Sequence, residues 1–230
     1  MNDYQKLVNM VDISAVRTDV TLLELEQLAS VGKKAGVAAV VTMPCFTPEL
    51  VRLMGENSDV MLAGVAGFPS GADTTTTKVL TTREMIGLGC KEIDMVINVG
   101  ALKSRLNAVV KDDIAAVVSA AEGLPVKAIL ETNYLSEEEI RRGTAICVEA
   151  GVAYVKTGTG WTNHVATPDV IRMISEVVDG KAQVKAAGGI RTLTDMRELH
   201  AAGATRFGIS LSSFINILEE IEHTTEQALL

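Results

Sequence analysis

Two lysines lie inside apolar, β-branched runs, Lys156 in AYVKTGT and Lys185 in AQVKAAGG. An ammonium is rare in the middle of a strand unless the fold uses it. A lysine that is desolvated beside a second cation loses part of its preference for the protonated form. The free amine can then attack a carbonyl carbon and form a Schiff base. A third ionisable group of the same kind is Asp94 in EIDMVIN, a carboxylate inside another apolar run. For one lysine, the alternative is a stem that snorkels to the surface or pairs with a carboxylate. Two lysines and an aspartate in strand contexts favour a catalytic set.

The elements that must position these groups follow from a recurring joint, where a helical stretch ends at glycine and a short strand begins. The four instances are KKAGVAAVV, GLGCKEIDMV, EAGVAYVKT and AAGATRFGIS, and a glycine is the usual residue just past a helix end. The joint glycines are Gly36, Gly89, Gly151 and Gly203. Each interval holds two βα units of about 26 to 31 residues. Further strands are expected at 60–67 (VMLAGVAG), 125–132 (PVKAILET) and 182–189 (AQVKAAGG), with a short first strand at 10–14 (MVDIS). Eight alternating strands and helices in 230 residues, with no linker or low-complexity break, predict an α/β single-domain (β/α)8 barrel over residues 1–230, opened by a short N-terminal helix. A doubly wound open sheet is the alternative.

Successive side chains of a strand point to opposite faces. Ile93, Met95 and Ile97 therefore oppose Glu92 and Asp94. Val126, Ala128 and Leu130 oppose Lys127 and Glu131, Val155 opposes Lys156, and Val184 and Ala186 oppose Lys185. In the last strand Phe207 and Ile209 oppose Arg206 and Ser210. The apolar sets belong under helices, so the charged set points into the barrel and is expected to cluster toward the strand ends where barrel active sites lie. A purely structural ion-pair layer is the other reading of that set. KAAGGIRT places Gly188 and Gly189 after the seventh strand, and RFGISLSS places Gly208 and Ser210 at the end of the eighth. Backbone N–H groups and a helix N-terminus commonly hold a phosphate there, although paired glycines also end strands for conformational reasons alone.

A formal net charge of −8 argues against nucleic acid or an anionic membrane surface as partner. An apolar content of 47% with 22% charged residues fits a soluble globular chain, and no apolar run reaches the ~20 residues that span a bilayer. Cys45, Cys90 and Cys147 show no CxxC spacing and are expected to be reduced thiols of a cytoplasmic protein. His164 follows the Lys156 strand and is a candidate pocket residue. His200 and His223 fall in helical stretches and are expected at the surface. No His, Asp or Cys cluster has metal-ligand spacing, so neither a metal nor another cofactor is expected. Trp161 and the methionines are expected as packing or pocket wall.

The block GFPSGADTTTTKVLTTREMIGLGCKEIDMVINVGALKS at 67–104, with YVKTGTG at 154–160, KAAGGIRT at 185–192 and RFGIS at 206–210, resembles the deoxyribose-phosphate aldolase family across nearly the whole chain. The resemblance implies a (β/α)8 class I aldolase. It would cleave 2-deoxy-D-ribose 5-phosphate to glyceraldehyde 3-phosphate and acetaldehyde. The family's Schiff-base lysine falls on Lys156 of the KTxTG motif, with Thr157 and Gly158 beside it. The lysine that lowers the nucleophile's pKa falls on Lys185, and the proton-shuttling aspartate falls on Asp94. The phosphate site falls on Gly188, Gly189, Gly208 and Ser210, and the aldehyde pocket on Asp12 and Ser14. Partners implied are a small sugar phosphate and an aldehyde, and a homodimer or higher homo-oligomer is the expected assembly. The chain departs from the family at several positions. Ser14 replaces the usual Thr of Asp-x-Thr, which keeps the hydroxyl and loses a methyl. Gly158 and Trp161 reshape the phosphate side, Leu211 leaves one phosphate donor fewer, and MPCFTP at 43–48 replaces a different polar loop. These changes leave open an aldolase acting on another sugar phosphate or aldehyde, a phosphate-binding barrel isomerase, and an idle binding barrel.

Overall fold

Short β-branched runs alternating with amphipathic stretches form strands that are covered by the helices that follow them. The computed structural model describes residues 3–163 and 165–222. The strands are β1 (Val11–Ala15), β2 (Ala39–Thr42), β3 (Met61–Ala66), β4 (Glu92–Val96), β5 (Val126–Ile129), β6 (Tyr154–Lys156), β7 (Gln183–Ala187) and β8 (Arg206–Ser210). They pair in parallel, each with the next, and β8 returns to β1 to close the barrel. The helices are α1 (Asp3–Val8), α2 (Leu22–Ala35), α3 (Thr47–Met54), α4 (Thr75–Gly87), α5 (Val99–Lys103), α6 (Asn107–Ala120), α7 (Glu137–Glu149), α8 (Pro168–Val178), α9 (Leu193–Ala201) and α10 (Leu211–Glu222). The (β/α)8 barrel expected from the joint spacing is the fold observed, with α1 preceding its first strand.

Local signals set the helix ends. The hydroxyls of Thr21, Thr74, Ser136, Thr167 and Thr192 accept backbone N–H groups of the first turns of α2, α4, α7, α8 and α9, which satisfies donors a helix start leaves free. Gly36 closes α2 in the left-handed conformation at φ 71°, its N–H donating to Gly32 O at 2.9 Å. The other three joint glycines take the same hand.

Outside the sheet, Ile13, Val40, Ile93, Met95, Val155, Phe207 and Ile209 pack under the helices in one continuous core. The barrel interior is divided. On the β2–β3 side it is filled by Ala39, Val41, Ala63 and Val65. On the side of β1 and β4 to β8 it is filled by charge, as the parity of those strands implies. The expected clustering at strand ends needs correction. Glu92 and Arg206 are the first residues of their strands and lie at the N-terminal end, because inward positions recur every second residue along the whole strand. Glu131 lies beyond β5 with φ 55° and turns to the loop after β6 rather than joining the interior set.

One buried ion pair lies outside the barrel, between helices. Lys78 of α4 is fully buried, and its Nζ donates to Val96 O at 2.9 Å and to Asp113 Oδ2 of α6 at 2.6 Å. Thr75 Oγ1 donates to the other oxygen of Asp113 at 2.8 Å. The pair ties α4 and α6 to the end of β4. Removing one member of such a pair leaves a buried charge poorly compensated. Asp113→Ala is therefore expected to lower stability by about 3–5 kcal/mol, whereas joint replacement of Lys78 by Met and Asp113 by Leu costs far less. Urea denaturation checks this as a fall in midpoint at unchanged slope.

Candidate active site

The parallel register brings the inward charges of neighbouring strands together. Asp94 pairs with Lys127, Lys156 with Lys185, and Lys185 with Arg206, while Asp12 lies opposite Gly208. Lys156 Nζ donates to Asp94 Oδ2 at 2.6 Å. Lys185 Nζ donates to the same oxygen at 2.8 Å and to Asp12 Oδ2 at 2.6 Å. Deeper in the barrel Lys127 Nζ lies 3.1 Å from Asp94 Oδ1 and 3.3 Å from Asp12 Oδ2, and it also pairs with Glu92. Arg206 closes the network, with Nε 2.6 Å from Asp12 Oδ1 and a terminal nitrogen 3.0 Å from Glu92 Oε2.

These contacts set the protonation states. Burial is the largest influence on Lys156 and lowers its pKa to about 8; Asp94 opposes that change, and the ammoniums of Lys185 and Lys127 add to it. Burial works against ionisation of Asp94, yet Lys127, Lys156 and Lys185 together hold it well below the usual carboxylate range. Asp12 is held down in the same way, against burial, by Lys127, Lys185 and Arg206.

A cavity of about 360 Å³ opens at the C-terminal ends of the strands. Of the residues singled out in the sequence, Asp12, Ser14, Lys156, Lys185, Gly188, Gly189, Gly208 and Ser210 line it. Asp94 does not: it is fully buried behind the two lysines and reaches the cavity through them. Thr157 and Gly158 also lie outside the lining. The Thr157 hydroxyl is a strut between β6 and β7, donating to Ala187 O at 2.7 Å and accepting from Ala187 N at 2.9 Å. A Cβ on Gly158 would stand 2.9 Å from Glu131 Oε1, so a glycine there lets Glu131 approach. Glu131 in turn accepts from Thr159 N at 3.2 Å and from the Thr159 hydroxyl, which fixes the loop after β6.

The far end of the cavity collects anion-binding groups. Gly188 and Gly189 have φ of 104° and 72°. Ser210 Oγ accepts from Ser213 N at 3.2 Å and so caps α10, with its hydroxyl 2.9 Å from Ser213 Oγ and 3.2 Å from Ser212 Oγ. Ser212, Ser213, Arg17 and Arg191 line this end too and were not singled out in the sequence. The Ser-x-x-Ser spacing at 210–213, which matches a helix cap, was the available signal. One reading changes here. Leu211 is buried in the core rather than facing the cavity, because the first turn of α10 aims that position inward. A Cβ on Gly189 would strike Val165, at 2.7 Å, so substitution there disturbs a loop before it meets any ligand.

Trp161 forms wall, as expected, over the mouth: its Nε1 donates to Val16 O at 2.7 Å and its ring meets Phe68 edge-on at 6.2 Å. Cys90 and Cys147 are buried free thiols, pushed up by burial to about 11 and about 12. Cys45 is an exposed free thiol. His200 is exposed near the end of α9, and His164 and His223 lie outside the described residues. No group of His, Cys, Asp or Glu among the described residues has the arrangement of a metal site.

A C-terminal cavity with a desolvated lysine at its floor and anion donors at its far end suits carbonyl chemistry on a small anionic molecule. Comparison with known proteins agrees. Residues 6–211 match the sequence model of the DeoC/LacD family aldolases. The deoxyribose-phosphate aldolase of Klebsiella pneumoniae is 39% identical over 224 residues, covering 96% of this chain and 90% of the relative. The enzyme of the same name from Dictyoglomus turgidum is 40% identical over 210 residues, covering 91% and 95%. The solved structure of deoxyribose phosphate aldolase from Aeropyrum pernix, described as a unique tetramer, superposes with a TM-score of 0.84 at 25% identity over 95% of this chain and 92% of that one. The chain therefore belongs to the DeoC/LacD aldolase family.

Proposed function

We propose that the protein is a class I aldolase that cleaves 2-deoxy-D-ribose 5-phosphate through a Schiff base on Lys156. The observation that carries this reading is an amine at the cavity floor whose pKa is about 8. At pH 7 roughly a tenth of such a group is free amine, against less than roughly one part in a thousand for a lysine near about 10.4. Lys156 Nζ attacks C1 of the open-chain sugar, and loss of water gives an iminium. The C2–C3 bond breaks as the C3 hydroxyl loses its proton, and the electron pair of that bond moves into the iminium. Glyceraldehyde 3-phosphate leaves, and acetaldehyde stays bound as an enamine. Protonation at C2 and hydrolysis then free acetaldehyde and the amine.

Lys185 supplies the neighbouring cation that disfavours a second ammonium at Lys156. Asp94 offsets the iminium charge as a carboxylate, and through Oδ2, the oxygen that faces Lys156 and Lys185, it passes protons with a water. Asp12 holds Lys185 in place, and Ser14 faces the aldehyde. Thr157 and Gly158 support the β6 end from outside the cavity. The phosphate sits among the N–H groups of Gly188 and Gly189, the Ser210 to Ser213 turn that starts α10, and the guanidinium of Arg191, whereas the Arg17 guanidinium is engaged with Asp19 and Glu24. A Cβ on Gly208 would stand 2.9 Å from Ala187 Cβ and 3.3 Å from Lys185 Cε, so the glycine makes room for both neighbours. The three free thiols fit a cytoplasmic location. Leu22 and Leu23, 55% and 75% exposed at the start of α2, fit assembly of the chain into a homo-oligomer.

Two outcomes are expected. Acetaldehyde with borohydride traps a covalent adduct at Lys156, its rate rising through a half-point near pH 8, and Lys156→Ala abolishes both adduct and turnover while the fold persists. Mass spectrometry and peptide mapping check this; an adduct that persists at another lysine overturns the assignment. At the phosphate end Ser213→Ala lowers kcat/KM for deoxyribose 5-phosphate about tenfold or more, the worth of a hydrogen bond to a charged group. It leaves unphosphorylated deoxyribose unchanged. An unaltered ratio between the two sugars places the phosphate elsewhere.

A further inference from the structure

The barrel interior contains two cations that the proposed chemistry does not use, Lys127 and Arg206. Lys127 is fully buried and does not line the cavity, so it touches no substrate. Its ammonium is nonetheless the only one, among the described residues, within ion-pair distance of all three interior carboxylates, Asp12, Glu92 and Asp94. Lys185 reaches two of them, Arg206 a different two, and Lys156 only Asp94. Three carboxylates against Lys127, Lys185 and Arg206 make a neutral set, and Lys156 is the surplus cation. By element, the inward charged and titratable groups are Asp12 on β1, Glu92 and Asp94 on β4, Lys127 on β5, Tyr154 and Lys156 on β6, Lys185 on β7 and Arg206 on β8; Lys127 Nζ lies 5.9 Å from the centre of the Tyr154 ring. β2 and β3 present only apolar side chains beside the cavity. Glu131, after β5, is engaged with Thr159.

We propose that Lys127 is a positioning residue that keeps the Lys156 amine unprotonated by completing the charge balance of the barrel interior. The inference rests on the Schiff-base reading and goes beyond the Lys156–Lys185 pair. The two oxygens of Asp94 carry the coupling, one facing Lys127 at 3.1 Å and the other Lys156 at 2.6 Å. Without Lys127, three carboxylates face two permanent cations in a poorly solvated space, and a proton is drawn in to restore neutrality. The most basic vacancy takes it, and that is the Lys156 amine. Consistent with this, the carboxylates of Asp12, Asp94 and Glu92 outweigh burial and hold Lys127 above the ordinary lysine range, so it remains charged when Lys156 does not. A filler that served only packing would be replaceable by an apolar side chain of similar length with no effect on Lys156.

The test is the pH dependence of acetaldehyde and borohydride trapping at Lys156 in the full chain, compared among wild type, K127M, K127R, E92Q and the K127M/E92Q double variant. K127M is expected to move the half-point up by about one to two pH units, with a matching loss of trapping rate at neutral pH. K127R keeps the charge and stays near wild type. E92Q leaves one cation in excess and moves the half-point toward acid. The double variant is balanced again and returns toward wild type. A K127M half-point that matches wild type, or shifts of the same sign in K127M and E92Q, overturns the inference while the Schiff-base reading stands. Absence of any adduct in the wild type overturns both. Should K127M fail to fold, the acid shift of E92Q decides alone: its presence supports the charge balance, and its absence refutes it.

Discussion

Charge enclosed in a barrel must be neutralised, and that requirement governs this structure. Seven charged side chains point inward: Asp12, Glu92 and Asp94 against Lys127, Lys156, Lys185 and Arg206, and none is more than 7% exposed. A charge taken out of water is tolerated only where partners and hydrogen bonds replace the lost hydration. Six of the seven obtain at least two such partners in the network. Lys156 faces the cavity with one carboxylate, so the cost of an extra proton falls on it. The reactivity proposed for this lysine follows from the arithmetic of its surroundings more than from any single neighbour.

That arithmetic needs a scaffold that fixes register. Each strand's register is held by hydrogen bonds to both neighbours around the closed sheet, so a one-residue slip would turn the charges toward the helices and is strongly disfavoured. The two sides of the interior divide the work. β2 and β3 give an apolar wall of Ala39, Val41, Ala63 and Val65, and the remaining strands give the charged wall. Gly208, level with Asp12, supplies the empty volume into which Lys185 extends. Arg206 and Glu92 occupy the N-terminal end of the barrel, so the polar network meets a ligand only at the C-terminal end, where barrel sites are built.

The loops add what the strands lack. Trp161 and Phe68 meet over the mouth, anchored to the β1 end through Val16, and the Glu131–Thr159 contact, made possible by Gly158, sets the course of the loop that carries Trp161. The Ser210 to Ser213 turn and the paired glycines present donors to an anion although the chain as a whole is acidic. Site polarity is local, set by helix starts and backbone N–H groups, and is independent of net charge.

The architecture and most of the interior set were legible in local patterns of the chain. The joint glycines and strand parity have periods the chain carries locally, and they predicted eight strands and the inward face of Asp94, Lys127, Lys156, Lys185 and Arg206. Depth and partnership arose with the closed fold. Glu92 and Arg206 proved to lie at the end remote from the cavity, Asp94 lay behind the lysines rather than on the surface they line, and Leu211, one residue after an inward serine, went to the core. Thr157 and Gly158, inside the most suggestive motif, turned out to serve the neighbouring strand and Glu131. Alternation along a strand gives the face of a residue, but height along the barrel axis comes from the stagger between strands. Closure of β8 onto β1 joins residues as distant in sequence as Asp12 and Arg206. No local pattern encodes those pairings, because they exist only once the sheet has closed.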